Sequence, residues 1–169
     1  MPRLHALELV PDDEGQDLVR RDWQALHEAG LPSQLDHRGS TNAPHVTVVA
    51  APSLPGAAVD GARSGLGGAL PLRVRASGLL LLGGDRVTIA RAVDVDDEVV
   101  RRVLAVRHLV PDRQHVGWLP HVTLARRVPR ADVQQAVDVL GHADAVLTLT
   151  ELRLWDPDLG RVTTVAAGL

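Results

Sequence analysis

A tetrapeptide that occurs twice constrains this 169-residue chain more than any other feature. Pro44-His45-Val46-Thr47 returns as Pro120-His121-Val122-Thr123, so the two histidines stand 76 residues apart, close to half the chain. On a strand, side chains alternate between faces, so each His-x-Thr puts an imidazole and a hydroxyl on one side. Two such strands set against each other gather two imidazoles and two hydroxyls around one small space. That is a layout for acid–base chemistry on a phosphate.

The repeat reaches past the tetrapeptide. Arg86-Val87-Thr88 returns 75 residues later as Arg161-Val162-Thr163. A His-x-Thr strand, a helix, a strand, a turn and an Arg-Val-Thr strand thus follow one another twice. Self-similarity at a fixed period outranks local signals, and two copies are too few for a solenoid. The expected solution is an α+β fold of two lobes related by a pseudo-twofold axis. Antiparallel sheets would line a central cleft, with helices outside and one histidine motif per lobe. The 169 residues are read as a single bilobal domain.

Periodicity supplies the elements. Leu4 to Val10 reads as a strand. Asp12-Asp13 opens a helix to about Ala29, with Val19, Trp23 and Leu26 on one face, and Gly30-Leu31-Pro32 stops it. Residues 33 to 43 are polar and loop-like. His45 to Ala50 is a strand whose Val46, Val48 and Ala50 would face the helices. A weaker helix spans Ala57 to Leu66. Leu72 to Leu82 and Arg86 to Val93 form a hairpin around Gly83-Gly84-Asp85. Asp96-Asp97 caps a helix carrying Val99, Val103, Val106 and Val110. Leu119 to Ala125 is the second motif strand. Pro129 suits a helix start, and Gly141 ends that helix after Val133, Ala136, Val137 and Leu140. Val146 to Trp155 and Arg161 to Ala167 close the chain as a hairpin turned by residues 156–160.

Composition narrows the function classes. The net charge of −3 argues against a broad nucleic-acid footprint, which wants a basic surface. A small nucleotide or an RNA end stays open. All 18 basic residues are arginine, and Phe and Tyr are absent, a bias in keeping with GC-rich coding. Stacking on a base can therefore come only from Trp23, Trp118, Trp155, a histidine or an arginine. Without cysteine there is no disulfide framework and no thiolate metal site. No apolar run reaches the roughly 20 residues of a membrane span, and the first residues lack the apolar stretch of a signal peptide. A cytoplasmic monomer, with no membrane or protein partner, is the expectation.

The two motifs, His45-Val46-Thr47-Val48 and His121-Val122-Thr123-Leu124, resemble the signature of the two-histidine (2H) phosphoesterases. The nearest branch is the 2'-5' RNA ligase-like and cyclic phosphodiesterase group. The stretch from Trp118 to Arg126 is similar to that family's second motif with its flanks. The resemblance implies a bilobal α+β fold and metal-independent hydrolysis of 2',3'-cyclic phosphates, without a cofactor. The partner would be a nucleotide or RNA end carrying the cyclic phosphate, and the product a 2'-phosphate. The reverse reaction, 2'-5' RNA joining, uses the same groups, and a non-catalytic end-binding protein is the remaining alternative.

The residues supply the chemistry. Imidazole serves as acid or base near neutrality, so His45 and His121 are the expected pair. Thr47 and Thr123 would donate to the non-bridging oxygens as charge builds on them. Arg126 would neutralise phosphate charge. Strict alternation from His121 puts Arg127 rather than Arg126 on the cleft face, unless a bulge intervenes. Trp118 could stack on a base, and Asn42 could hydrogen-bond one. Neither motif offers nearby carboxylates or extra histidines, so no metal site is expected. His5 lies on the first strand and could face the cleft.

Overall fold

The computed structural model describes residues 3–169. Seven strands form the sheet: β1 (His5–Pro11), β2 (Val46–Ala51), β3 (Leu72–Gly83), β4 (Arg86–Asp94), β5 (His121–Pro129), β6 (Ala145–Asp156) and β7 (Arg161–Ala167). Four helices accompany them: α1 (Asp13–Glu28), α2 (Gly56–Gly65), α3 (Asp97–His108) and α4 (Val133–Leu140). The strand order is β1-β2-β5-β4-β3-β6-β7, and every pairing is antiparallel. A further β1–β6 pairing returns the ladder to its start.

The helices form where the pattern puts them. Asp12 caps α1, its carboxylate accepting from the Gly15 N–H at 2.9 Å, and Asp13 and Glu14 lie at the positive end of the helix dipole. Val19, Trp23 and Leu26 are its buried stripe. The polar segment 33–43 holds one 3-10 turn at Gln34–Asp36, closed by a Ser33/Asp36 capping box. Pro129 ends β5, and a 3-10 turn at Arg130–Asp132 precedes α4. The second motif strand thus runs four residues past its expected end.

The sheet has two halves, β2-β1-β6-β7 and β5-β4-β3, each holding one motif strand. They join at two seams. One is the five-pair β3–β6 ladder from Leu72↔Leu149 to Ala76↔Ala145. The other is a single pair, Val46↔Val122, between the two motif strands. The middle pair of the first seam, Val74↔Leu147, and the lone pair of the second lie on a pseudo-twofold axis. That axis exchanges β1-α1-β2-α2-β3 with β4-α3-β5-α4-β6.

This corrects one part of the repeat. The partner of β4 under the axis is β1, since each flanks a motif strand. β7, which carries the second Arg-Val-Thr, pairs with β6 at the sheet's edge. The Arg-Val-Thr recurrence is therefore no part of the spatial symmetry.

The helices cross between lobes. α1 leads from β1 into β2 and packs with α4 and against β6, β5 and β1, so that it spans both halves. α3 leads from β4 into β5, yet it packs with α2 and against β2. Arg91 of β4 is buried and grips Asp22 of α1 at 2.6 and 3.0 Å. The apolar core between sheet and helices includes Leu7, Leu9, Trp23, Leu26, Ile89, Leu124 and Leu152. No helix among the described residues is long and apolar enough to cross a membrane.

Candidate active site

Both motif strands carry the same irregularity. Along β2, Thr47 pairs with Glu8 and Val49 with Leu7, so Val48 is an extra residue. Along β5, Thr123 pairs with Ala90 and Ala125 with Ile89, so Leu124 is the extra one. A bulge of this kind shifts the alternation by one. Val48 and Val49 are both buried, as are Leu124 and Ala125. The next residue on each strand then turns to the histidine face. In β2 that residue is the half-buried Ala50, which was expected under the helices. In β5 it is Arg126, which is exposed. The bulge that Arg126 needed is thus present, and Arg127, exposed as well, takes up a second irregularity with φ 60°.

At the seam the motif strands run antiparallel. One step either way from Val46↔Val122 sets His45 toward Thr123 and His121 toward Thr47. Val46 and Val122 are buried, while the histidines and threonines around them are half-buried. The duplicated motif therefore meets its own copy at the twofold axis.

Each imidazole is held by its own strand. Nδ1 of His45 lies 2.8 Å from the Ala43 carbonyl, and Nδ1 of His121 lies 2.7 Å from the Leu119 carbonyl. A carbonyl only accepts, so Nδ1 carries the hydrogen in both rings. Nε2 is left in both to take or give a proton.

The halves differ in what stands beside that nitrogen. Glu8 is opposite Thr47 and buried, and its Oε1 is 3.4 Å from Nε2 of His45. Its Oε2 accepts from Nε of Arg153 at 2.8 Å. Arg153 is also buried, and its Nη2 donates to the Thr41 carbonyl at 3.2 Å. In the other half the position of Glu8 is filled by Ala90.

Trp118 and Asn42 have their side-chain N–H groups engaged within the protein. Nε1 of Trp118 donates to the Thr47 carbonyl at 2.9 Å, and its half-buried ring packs on the core. Nε1 of Trp23, buried in α1, donates to the Thr123 carbonyl at 3.1 Å. The two tryptophans thus hold equivalent carbonyls beside the two bulges. Asn42 donates to the Gln34 and His37 carbonyls, both at 2.8 Å, and ties the loop before His45. Arg107 of α3 does the same for the loop before His121. It donates to the carbonyls of Val48 at 2.8 Å, Gly117 at 2.7 Å and His115. Burial, and then neighbouring Arg113, lower its guanidinium from the ordinary value.

Glu8, Arg153 and Arg107 were not singled out from the sequence, and Trp23 was named there for its helix face and its ring, not for a bond to the motif strand. Glu8 left one signal, a lone acid inside the apolar run from Ala6 to Val10. The matching bonds of Trp23 and Trp118 left none, since the two sit at unrelated places in the repeat.

Other features lie off the histidine face. His5 is three residues from Glu8, so it faces the other side of β1. Its ring lies 3.3 Å from Asp158 and 3.9 Å from Asp156. The ligand atoms of these three lie within 4.8 Å of one another. The imidazole, however, offers a different nitrogen to each acid, and Asp156 already accepts from the Asp158 and Leu159 N–H groups. A concavity of about 400 Å³ is lined by His27, Gly30, Leu31, Pro32 and Asp36, and one of about 220 Å³ by Arg73, Val74, Arg75, Asp94, Asp96 and Val146. Neither touches the motifs.

Comparison with known proteins gives a consistent result. The fold is similar to that of a crystal structure described as a phosphoesterase, with a TM-score of 0.51 and 11% identity, over 99% of this chain and 96% of that one. A search of curated proteins finds no match to the sequence. The model of the 2'-5' RNA ligase superfamily matches residues 13–161, which include both His-x-Thr motifs and the bulges that follow them. With that match over most of its length, the chain belongs to the 2'-5' RNA ligase superfamily, the two-histidine phosphoesterases.

Proposed function

We propose that this phosphoesterase-type chain hydrolyses 2',3'-cyclic phosphodiesters on a nucleotide or RNA end, using His45 and His121 as an acid–base pair and no metal ion. One observation carries the reading. Two imidazoles, each with Nδ1 tied to its own backbone, flank the single pair that joins the motif strands. Their Nε2 atoms, not tied to the backbone, suit the two sides of one phosphorus. One takes a proton from water as the water oxygen bonds phosphorus. The other gives a proton to the departing ribose oxygen.

Thr47 and Thr123 stand between the imidazoles on the same face, where their hydroxyls can donate to the non-bridging oxygens. Arg126 shares that face, and its guanidinium suits a phosphate by charge and shape. The donor set favours a metal-free path, since each Nδ1 is engaged by a carbonyl and His121 has no carboxylate beside it.

The test is a panel of 2',3'-cyclic nucleotides and of 2'-5' and 3'-5' oligonucleotides, with products identified by phosphorus NMR. Opening of the cyclic phosphate to a single product, a 2'-phosphate, is expected, with activity retained after exhaustive chelation. An equal mixture of 2'- and 3'-phosphates would overturn fixed acid and base roles. Net joining of 2'-5' ends by the same pair would place the physiological direction in reverse.

A further inference from the structure

Glu8 and Arg153 have no part in the mechanism above. A carboxylate buried in an apolar strand is costly unless it is partnered. Arg153 holds its Oε2, and Oε1 is left facing Nε2 of His45 at 3.4 Å. We propose that Glu8 is a positioning residue: locked by Arg153, its carboxylate holds the proton-bearing form of His45 with Nε2 at the reacting phosphate. The proposal rests on the reading given under Proposed function and deepens it. Ala90 fills the equivalent place beside His121, so the two imidazoles are unequal by construction.

The steps then balance in one direction. Water bonds phosphorus and gives its proton to Nε2 of His121. The phosphorus–ribose oxygen bond breaks, and that oxygen takes the proton from Nε2 of His45. Glu8 reaches Nε2 of His45 at 3.4 Å and acts on the reaction through that imidazole.

Charged and titratable groups surround His45 on the elements packed against it. β1 presents Glu8 and β6 presents Arg153. β5 presents His121 and Arg126, and the loop before β2 carries exposed His37 and Arg38. Among the described residues, Glu8 is the acid within salt-bridge reach of His45.

The experiment is Glu8→Gln, which keeps the shape and still accepts from Arg153. Ring-nitrogen NMR on the substrate-free protein is expected to show the His45 titration moved to lower pH by the loss of the neighbouring carboxylate, with that of His121 in place. The alkaline limb of kcat/KM should move the same way, with kcat falling more than KM changes. Glu8→Asp restores the charge and should restore part of the profile. Should Glu8→Gln fail to fold, the double variant Glu8→Leu/Arg153→Met removes the ion pair, fills its volume and should show the same movement. A folded variant whose His45 titration stays at the wild-type position overturns the proposal. The NMR needs no substrate, so the two readings fail separately. An unmoved His45 in an active enzyme removes the role of Glu8 alone. A moved His45 in a wild-type protein inert toward cyclic phosphates sustains the pairing and removes the substrate.

Discussion

Beside His45, the cross-strand neighbour of the motif threonine is Glu8, gripped by Arg153; beside His121, the same position is Ala90. One residue past each bulge the contrast reverses. Arg126 follows the His121 motif, and Ala50 follows the His45 motif. The backbone treats the halves alike, down to the bulge, the Nδ1–carbonyl bond and a tryptophan on each threonine carbonyl. The charged side chains do not. A symmetric frame can place two imidazoles on opposite sides of one phosphorus, and unlike charges can then give the two sides different work.

The strongest way to break the comparison is at its shared part. His45→Ala and His121→Ala are each expected to lower kcat/KM on a 2',3'-cyclic nucleotide by about 10²- to 10⁴-fold. The double variant should be little worse than the poorer single one, because the pair acts as a unit. Near wild-type turnover in either folded variant would end the acid–base assignment. Arg153→Leu leaves Glu8 buried without its partner and should cost about 3–5 kcal/mol in denaturant unfolding. A loss near zero would mean that Glu8 is hydrated or protonated without cost.

The exposed arginine of the other half should behave differently. Arg126→Gln is expected to leave stability within about 0.5 kcal/mol. It should lower kcat/KM about tenfold, mainly through KM, and less at high salt, where exposed charges are screened. A salt-independent loss would point to a contact other than phosphate charge. The finest test compares Trp118→Phe with Trp23→Phe. Each orphans one threonine carbonyl, at about 1 kcal/mol, with an added packing loss at the more deeply buried Trp23. Unchanged stability in Trp118→Phe would show that its indole bond does not hold the bulge.

Much of this molecule is legible in the sequence because its signals are local. Alternation marks the strands, and the 3.6-residue period marks α1 and α3. The doubled His-x-Thr marks the axis. The bulges were not legible. Val48, Val49, Leu124 and Ala125 are ordinary apolar residues, and nothing in their identity says that two neighbours both turn inward. The Glu8–Arg153 pair spans 145 residues, and its members lie on strands brought together only by the β1–β6 pairing. Arg-Val-Thr misled for the converse reason. Two strands alike in sequence, β4 and β7, take unlike places in the sheet. For Trp118 the sequence offers a ring able to stack on a base; it does not show that the N–H is engaged by the Thr47 carbonyl, a partner 71 residues away.

The crossing of the helices bears on how this chain folds and comes apart. α1 bridges the halves by touching β1, β6 and β5, α3 packs on β2 and α2 of the other half, and β3 and β6 trade places between the halves of the sheet. No single cut would then release a half with its own finished core. Melting should be one cooperative transition seen alike by every probe. Native pairings such as β1–β6 join distant ends of the chain, so folding should be slow for the protein's size. A nascent chain would bury little until β6 has emerged, and neither histidine would be set in place before the other.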